Sequence, residues 1–244
     1  MLAVIIPMLN EELHAEECVR AVCAVLSKSL PASKLVVVDD GSKDGTRAIL
    51  ARLAGESLPF VHVEHEVNRG YGAALVTGAR KARDLGFEFG LFMDSDLTND
   101  PALIPRFAEL LASGKYDVIK ASRYIPGGGM EGVPFRRQVP TRAGNWLASR
   151  LFGMGLHDCT NGFRAVRLAM VCDLSFHERG FPQILEELLA LKKQGARAAE
   201  LAYVLTARAE GEGGSKFSYR PKVILAYLKY ALKAGAVPYR PGTN

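Results

Sequence analysis

The hydrophobic and polar positions of this chain follow two rhythms that alternate through its first half. Short runs rich in β-branched and aromatic residues, "LAVIIP" (2–7), "KLVVVDD" (34–40), "FVHVEH" (60–65), "FEFGLFMD" (87–94) and "YDVIKASR" (116–123), read as strands. Between them, helical patterns fall near 11–28, 44–54, 72–85 and 101–113. The strands are apolar almost throughout, as expected of strands covered on both faces. Alternation of this kind predicts an α/β architecture, a mostly parallel Rossmann-like sheet flanked by helices.

The punctuation changes after Arg123. "IPGGGMEGVP" (125–134) is too rich in Gly and Pro for regular structure and reads as a long mobile loop. Helices are expected near 142–153 and 182–194, and a strand near 197–206. "ARAEGEGGSKF" (207–217) is a second glycine-rich loop, and "PKVILAYLKYALKAG" (221–235) is a closing helix. No linker or repeat divides the chain. A single domain is expected, with 1–217 as its catalytic body. Residues 218–244 then form a helix and tail that either belong to the same domain or lie on a membrane surface.

Ligands of open parallel sheets sit beyond the carboxyl ends of the strands. That rule gathers Pro7–Glu11, Asp39–Ser42, Asp94–Asp96 and Arg123 around one crevice. Asp94 and Asp96 lie one residue apart, a spacing that in an extended segment points both carboxylates the same way. Hard oxygen donors of this kind suit Mg²⁺ or Mn²⁺, which typically take one or two carboxylates plus substrate phosphates. By itself the pair also reads as an aspartate-rich turn ahead of the helix that begins at Pro101. Asp100, just before that proline, is expected to cap the helix.

Composition adds bounds. The chain is 48% hydrophobic and 23% charged, an ordinary globular balance without a low-complexity tract. Its net charge of +5 fits either a solvated surface or attraction to an anionic partner such as a phosphate or a lipid surface. Cys18, Cys23, Cys159 and Cys172 have neither metal-site nor disulfide-framework spacing, so reduced thiols and a cytoplasmic setting are expected. "LAVIIP" lacks the flanks of a signal peptide. No apolar stretch reaches the roughly 18–20 residues that span a bilayer. "NRGYGAA" contains GxG, but a dinucleotide fingerprint would join the first strand to its helix, and here that join is "PMLNEE".

Taken together, "IPMLNEE", "VVVDDGSKDGT", "NRGYGAAL", "MDSDLTNDP" and "ASRY" have the order and spacing of one family. The sequence resembles the family 2 glycosyltransferases of GT-A fold. "SRYIPGGG", "RRQVPTRAGNWLASRLFG", "DCTNGFRAVR" and "GGSKF" narrow the likeness to the dolichyl- or polyprenyl-phosphate mannose synthase type. The resemblance runs from Val4 to about Phe217. It implies a nucleotide pocket lined by Pro7, Asn10, Glu11, Asp39, Asp40 and Asp94. It also implies that Asp94 and Asp96 hold the metal, Mg²⁺ or Mn²⁺, together with the donor diphosphate.

Thr98 stands where the family often has a glutamine. Arg123, Arg137 and Thr141 match positions that grip the acceptor phosphate. Arg208 and Lys216 match a basic loop, although about two residues further apart than usual, and Glu186 corresponds approximately to a glutamate of the family. The implied catalytic residues are therefore Asp94, Asp96, Arg123 and Arg137. The implied activity is inverting transfer of a hexose from a nucleotide sugar, GDP-mannose being typical, to a polyprenyl phosphate, without a nucleic-acid partner. A UDP-sugar donor or a hydroxyl acceptor is the rival reading, and the latter needs a general base, Glu186 or Asp158. The apolar and basic residues of 145–155 and 221–240 fit either core packing or peripheral contact with the cytoplasmic face of a membrane.

Overall fold

The computed structural model describes residues 1–178, 180–206 and 221–242. A seven-stranded sheet forms its centre. In chain order the strands are β1 (Leu2–Met8), β2 (Lys34–Asp39), β3 (Phe60–Glu64), β4 (Phe89–Phe92), β5 (Val118–Ser122), β7 (Arg164–Arg167) and β8 (Ala198–Ala202). Their spatial order is β3-β2-β1-β4-β7-β5-β8. All pairings are parallel except those of β7, which runs antiparallel between β4 and β5. This is the mostly parallel α/β sheet that the alternating pattern predicts, and it is a GT-A architecture.

β1 shows why these residues form a central strand. Leu2, Val4, Ile6 and Met8 enter one core and Ala3 and Ile5 the other, so both faces are buried. Helices α1 (Ala15–Ser29), α2 (Thr46–Ala54) and α4 (Ile104–Ala112) cover the first face through Leu26, Leu50 and Phe107. Helices α3 (Tyr71–Asp84), α5 (Phe135–Phe152), α6 (Gln183–Lys193) and α7 (Pro221–Gly235) cover the second. α3 lies so close to β1 that a Cβ on Gly78 would stand 2.4 Å from Ile5 Cγ2, which explains a glycine inside that helix.

Two expectations need correction, and one strand has no counterpart among them. "IPGGGMEGVP" is not wholly irregular, because β6 (Gly129–Glu131) pairs in parallel with β9 (Val204–Thr206) in a second, two-stranded sheet. Its partner lies more than seventy positions away in sequence, beyond the reach of any local pattern. α5 begins at Phe135 rather than near 142 and runs through Pro140. β7 was not foreseen: a four-residue "RAVR" with a charge at each end carries no strand signal. Its inner residues Ala165 and Val166 are fully buried between β4 and β5, and Arg164 meets a buried partner elsewhere in the fold, as described below.

The closing helix packs onto this body. Tyr230, Ala231 and Ala234 are buried, and Lys192 Nζ of α6 donates to Ala234 O at 2.8 Å. Beyond the helix, Tyr239 Oη donates to Ala196 O at 2.9 Å.

Candidate active site

A cavity of about 1260 Å³ opens at the carboxyl ends of β1, β2 and β4. It lies where the strand order turns outward in both directions from β1 and β4. Its first wall follows β1. Asn10 has a left-handed backbone, φ 52°, a conformation that asparagine tolerates better than most residues. Its N–H donates to Ser42 Oγ at 2.9 Å, and its Oδ1 accepts from the Lys43 N–H at 2.9 Å. Glu11 N–H donates to Thr46 Oγ1 at 2.8 Å. The turn after β1 is thereby tied to the turn after β2.

The paired aspartates of "VVVDDG" divide their work. Asp39 is fully buried, accepts from Ser42 N–H at 2.9 Å and pairs with Arg47 Nε at 3.3 Å. Asp40 faces the cavity while accepting from Arg69 N–H (2.9 Å), Gly70 N–H (2.8 Å) and meeting His65 Nδ1 at 2.7 Å. It therefore shapes the "NRG" turn that enters α3. Of the six residues expected to line a donor pocket, Pro7, Glu11, Asp40 and Asp94 line the cavity. Asn10 and Asp39 brace the turns behind it.

Beyond β4, Asp94 and Asp96 both line the cavity. The segment is a turn rather than the extended strand end assumed from i, i+2 spacing. Leu97 is held at φ 55°, a conformation costly for a leucine, of order 1–3 kcal/mol. Several contacts hold it there. Asp96 Oδ1 accepts from Thr98 Oγ1 (2.7 Å) and Thr98 N–H (3.1 Å), Asn99 Oδ1 accepts from Asp94 N–H (2.9 Å), and Tyr203 Oη donates to Thr98 O. Thr98 thus orients Asp96. Asp100 caps the next turn, as expected, accepting from Ala102 N–H at 2.8 Å.

Among the described residues no cluster of three or more His, Cys, Asp or Glu side chains could hold a metal. The Asp94–Asp96 pair still fits Mg²⁺ or Mn²⁺, because such ions commonly take two carboxylates and complete their shell with phosphate and water.

Arg123, at the end of β5, also lines the cavity. Its guanidinium grips Asp158, with Nε to Oδ2 at 2.7 Å and Nη2 to Oδ1 at 2.9 Å, and Nη2 also donates to Thr160 Oγ1 at 3.2 Å. Burial disfavours this charge, but attraction to Asp158 outweighs the penalty and raises the Arg123 pKa. Thr141 lines the cavity from α5. Arg137 belongs to the first turns of the same helix, but its side chain is outside the described set, as are Arg208 and Lys216 altogether.

Neither candidate base of the hydroxyl-acceptor reading lines the cavity. Asp158 is fully buried against Arg123. Glu186 accepts from the N–H groups of His177 and Glu178, each at 3.0 Å. Burial would raise its pKa, but these donors hold it below the ordinary value, so it is a poor proton acceptor.

Beneath the site lies a buried pair that sequence reading missed. Arg164 and Glu187 are 1% and 2% exposed and meet through two parallel contacts of 2.5 Å. Arg164 Nη1 also donates to Gly162 O (2.7 Å), and its guanidinium carbon sits 4.6 Å from the Phe92 ring centre. Nearby, Lys120 Nζ donates to Asn161 O at 2.7 Å; burial and the neighbouring Arg164 bring its pKa down to about 8. These cations fix the "TNGF" turn, whose Thr160, Asn161 and Gly162 line the cavity. The quoted motif "DCTNGFRAVR" was the available signal, but the roles within it depend on partners far along the chain.

The other arm of the cavity is apolar, walled by Pro140 and Leu147 of α5, Ile184 and Leu185 of α6, and Tyr227 and Leu228 of α7. The outer surfaces of α5 and α7 carry apolar residues too: Phe135 is 74% exposed, Trp146 62%, Leu225 63% and Leu232 64%. Cations stand among them, with Arg150 placed 5.2 Å from the Trp146 ring centre. No helix among the described residues is long and apolar enough to cross a membrane.

Residues 3–174 match the family Glycosyl transferase family 2. The chain is 35% identical over 165 residues to a polyprenol monophosphomannose synthase of Mycolicibacterium smegmatis, covering 67% of this chain and 60% of that one. It is 31% identical over 213 residues to an undecaprenyl-phosphate mannosyltransferase of Micrococcus luteus, covering 86% of each. It is 29% identical over 231 residues to a dolichol-phosphate mannosyltransferase of Pyrococcus furiosus, covering 93% of this chain and 62% of that one. The chain therefore spans less than two thirds of the first and third relatives. In fold it is similar to glucosyl-3-phosphoglycerate synthase of Mycobacterium tuberculosis, solved with Mn²⁺, UDP and glucosyl-3-phosphoglycerate. That likeness has a TM-score of 0.66 at 21% identity and covers 98% of this chain and 81% of that one.

Proposed function

The chain belongs to glycosyl transferase family 2, and from that premise we propose that it moves mannose from GDP-mannose to the phosphate of a polyprenyl phosphate, with inversion. The observation that carries this reading is the cavity itself. Its lining joins Asp94 and Asp96 to apolar side chains of α5, α6 and α7, two of which, Ile224 and Leu228 of α7, are themselves 45% and 40% exposed. A ligand polar at one end and hydrocarbon at the other fits such a lining. The names of the three relatives support mannose as the sugar and a polyprenyl phosphate as the acceptor.

In the proposed step an oxygen of the acceptor phosphate forms a bond to the anomeric carbon. The bond from that carbon to the donor diphosphate breaks, and the nucleoside diphosphate leaves with the electron pair. No base is needed, since a phosphate monoester with a second pKa of about 6 is already largely dianionic at neutral pH. This agrees with the engagement of Asp158 and Glu186 elsewhere. Asp94 and Asp96 would hold a divalent ion, which when bound supplies Lewis-acid stabilisation of the leaving diphosphate. Two anions must meet in this reaction, at a Coulomb cost that cationic side chains offset. Arg123, Arg137, Arg208 and Lys216 are assigned that work, with Thr141 beside the acceptor phosphate.

The test is incubation with a panel of nucleotide sugars, Mg²⁺ or Mn²⁺ and a short polyprenyl phosphate, with mass analysis of the lipid. A mannosyl phospholipid formed from GDP-mannose is the expected product. Absence of any lipid-linked sugar with every donor would overturn the proposal, and transfer from a UDP-sugar alone would move the donor assignment.

The exposed apolar faces of α5 and α7 are assigned to a membrane surface, with Lys222, Lys229, Lys233 and Arg150 near the headgroups. The protein's single tryptophan reports on this directly, since Trp146 is exposed on α5. Anionic vesicles are expected to shift its emission to shorter wavelength and to sediment with the protein. Unchanged emission together with no co-sedimentation refutes the assignment.

A further inference from the structure

The surroundings of Arg123 give its charge a direction. An arginine side chain carries five N–H donors in a rigid fork. Here Nε and Nη2 bind the two oxygens of Asp158, and Nη2 also reaches Thr160 Oγ1. Among the described residues no hydrogen bond engages Nη1, the guanidinium carbon lies 5.3 Å from the Tyr124 ring centre, and the residue lines the cavity. We propose that Asp158 is a positioning residue for the transfer: it locks one edge of the Arg123 guanidinium so that Nη1 is presented to the acceptor phosphate. This rests on the reading above that the acceptor is a phosphate.

Asp158 is built for this task. It is fully buried, and it also accepts from the backbone N–H of Arg123 (3.1 Å) and of Asn161 (3.2 Å). Its own N–H donates to Glu200 Oε1 of β8 at 2.8 Å, and the neighbouring His157 N–H donates to the same oxygen at 2.9 Å. Asn145 of α5 holds Thr160 both ways, donating to its Oγ1 (2.8 Å) and accepting from its N–H (3.1 Å). Three elements thus fix a single guanidinium.

A second consequence follows from charge. Asp158 cancels most of the long-range attraction of Arg123, so this arginine contributes aligned hydrogen bonds rather than net positive potential. A nucleophile held by aligned bonds is sensitive to small displacements.

The test compares wild type with Asp158→Asn and Thr160→Val, measuring kinetic constants for donor and acceptor separately and thermal unfolding of each protein. In Asp158→Asn the new amide faces an arginine N–H donor to donor, so one arm of the fork opens. The expected result is a loss of roughly 10–100-fold in kcat/KM for the polyprenyl phosphate with the donor KM unchanged. Thr160→Val, which removes one contact to Nη2, is expected to lose about 5–10-fold with the same split. A folded Asp158→Asn protein within twofold of wild type for the acceptor, or donor and acceptor constants changing in parallel, overturns the inference. If Asp158→Asn does not fold, Thr160→Val decides: its acceptor-selective loss supports the inference, and a wild-type acceptor constant overturns it. A wild type that transfers no sugar to any lipid phosphate fails the functional reading itself, an outcome visible before any variant is made.

Discussion

Asp96→Asn is expected to lower sugar transfer by roughly 10²–10³-fold while leaving the fold intact. The substitution keeps an oxygen that can accept from Thr98 N–H and Thr98 Oγ1, the two contacts that shape the turn. What disappears is the negative charge. If Asp94 and Asp96 hold a divalent ion against the donor diphosphate, the variant should also lose nucleotide-dependent Mn²⁺ binding, readable by calorimetry without turnover. Circular dichroism and the unfolding midpoint should match wild type. Transfer within threefold of wild type, or wild-type Mn²⁺ binding with nucleotide present, would contradict the assignment of this carboxylate.

The largest effect on stability is expected at Glu187→Ala. Glu187 and Arg164 are buried almost completely, and removing the carboxylate strands a guanidinium in the core. Breaking one side of such a pair costs about 3–5 kcal/mol. For a domain of this size that corresponds to a fall in the unfolding midpoint on the order of 10 °C. The double variant Arg164→Met, Glu187→Leu should recover much of the loss, because neither charge of the pair is then left buried without the other. Recovery will be incomplete, since Gly162 O loses its donor from Arg164 Nη1. A Glu187→Ala protein that unfolds within a degree or two of wild type would mean that the pair opens to solvent.

These two sites also differ in how visible they are along the chain. Asp94 and Asp96 could be picked out because they follow an apolar strand in a repeating strand–helix pattern, and in such folds chemistry gathers beyond strand ends. Glu187 looks like any acidic residue on a helix, and Arg164 like a surface arginine. Their pairing joins β7 to α6 across 23 residues, and only the folded chain shows it. The division of labour between Asp39 and Asp40 was equally hidden: two adjacent carboxylates of the same type separate only when His65, Arg69 and Gly70 close on one of them.

Arg123 shows the limit most clearly. Its position at the end of a strand marked it for the site, yet nothing nearby in sequence foretold that Asp158, 35 residues on, would take up two of its three nitrogens. By itself the sequence determined the strand–helix alternation of the first half, the two-sided burial of β1 and the gathering of aspartates beyond the strand ends, because hydrophobic period and turn chemistry are properties of neighbouring residues. The tertiary structure alone decided the antiparallel β7, the pairing of β6 with β9, the early start of α5 and which polar groups face the cavity. Each of those depends on partners brought together across long stretches of chain, where burial, not local preference, sets which charge meets which.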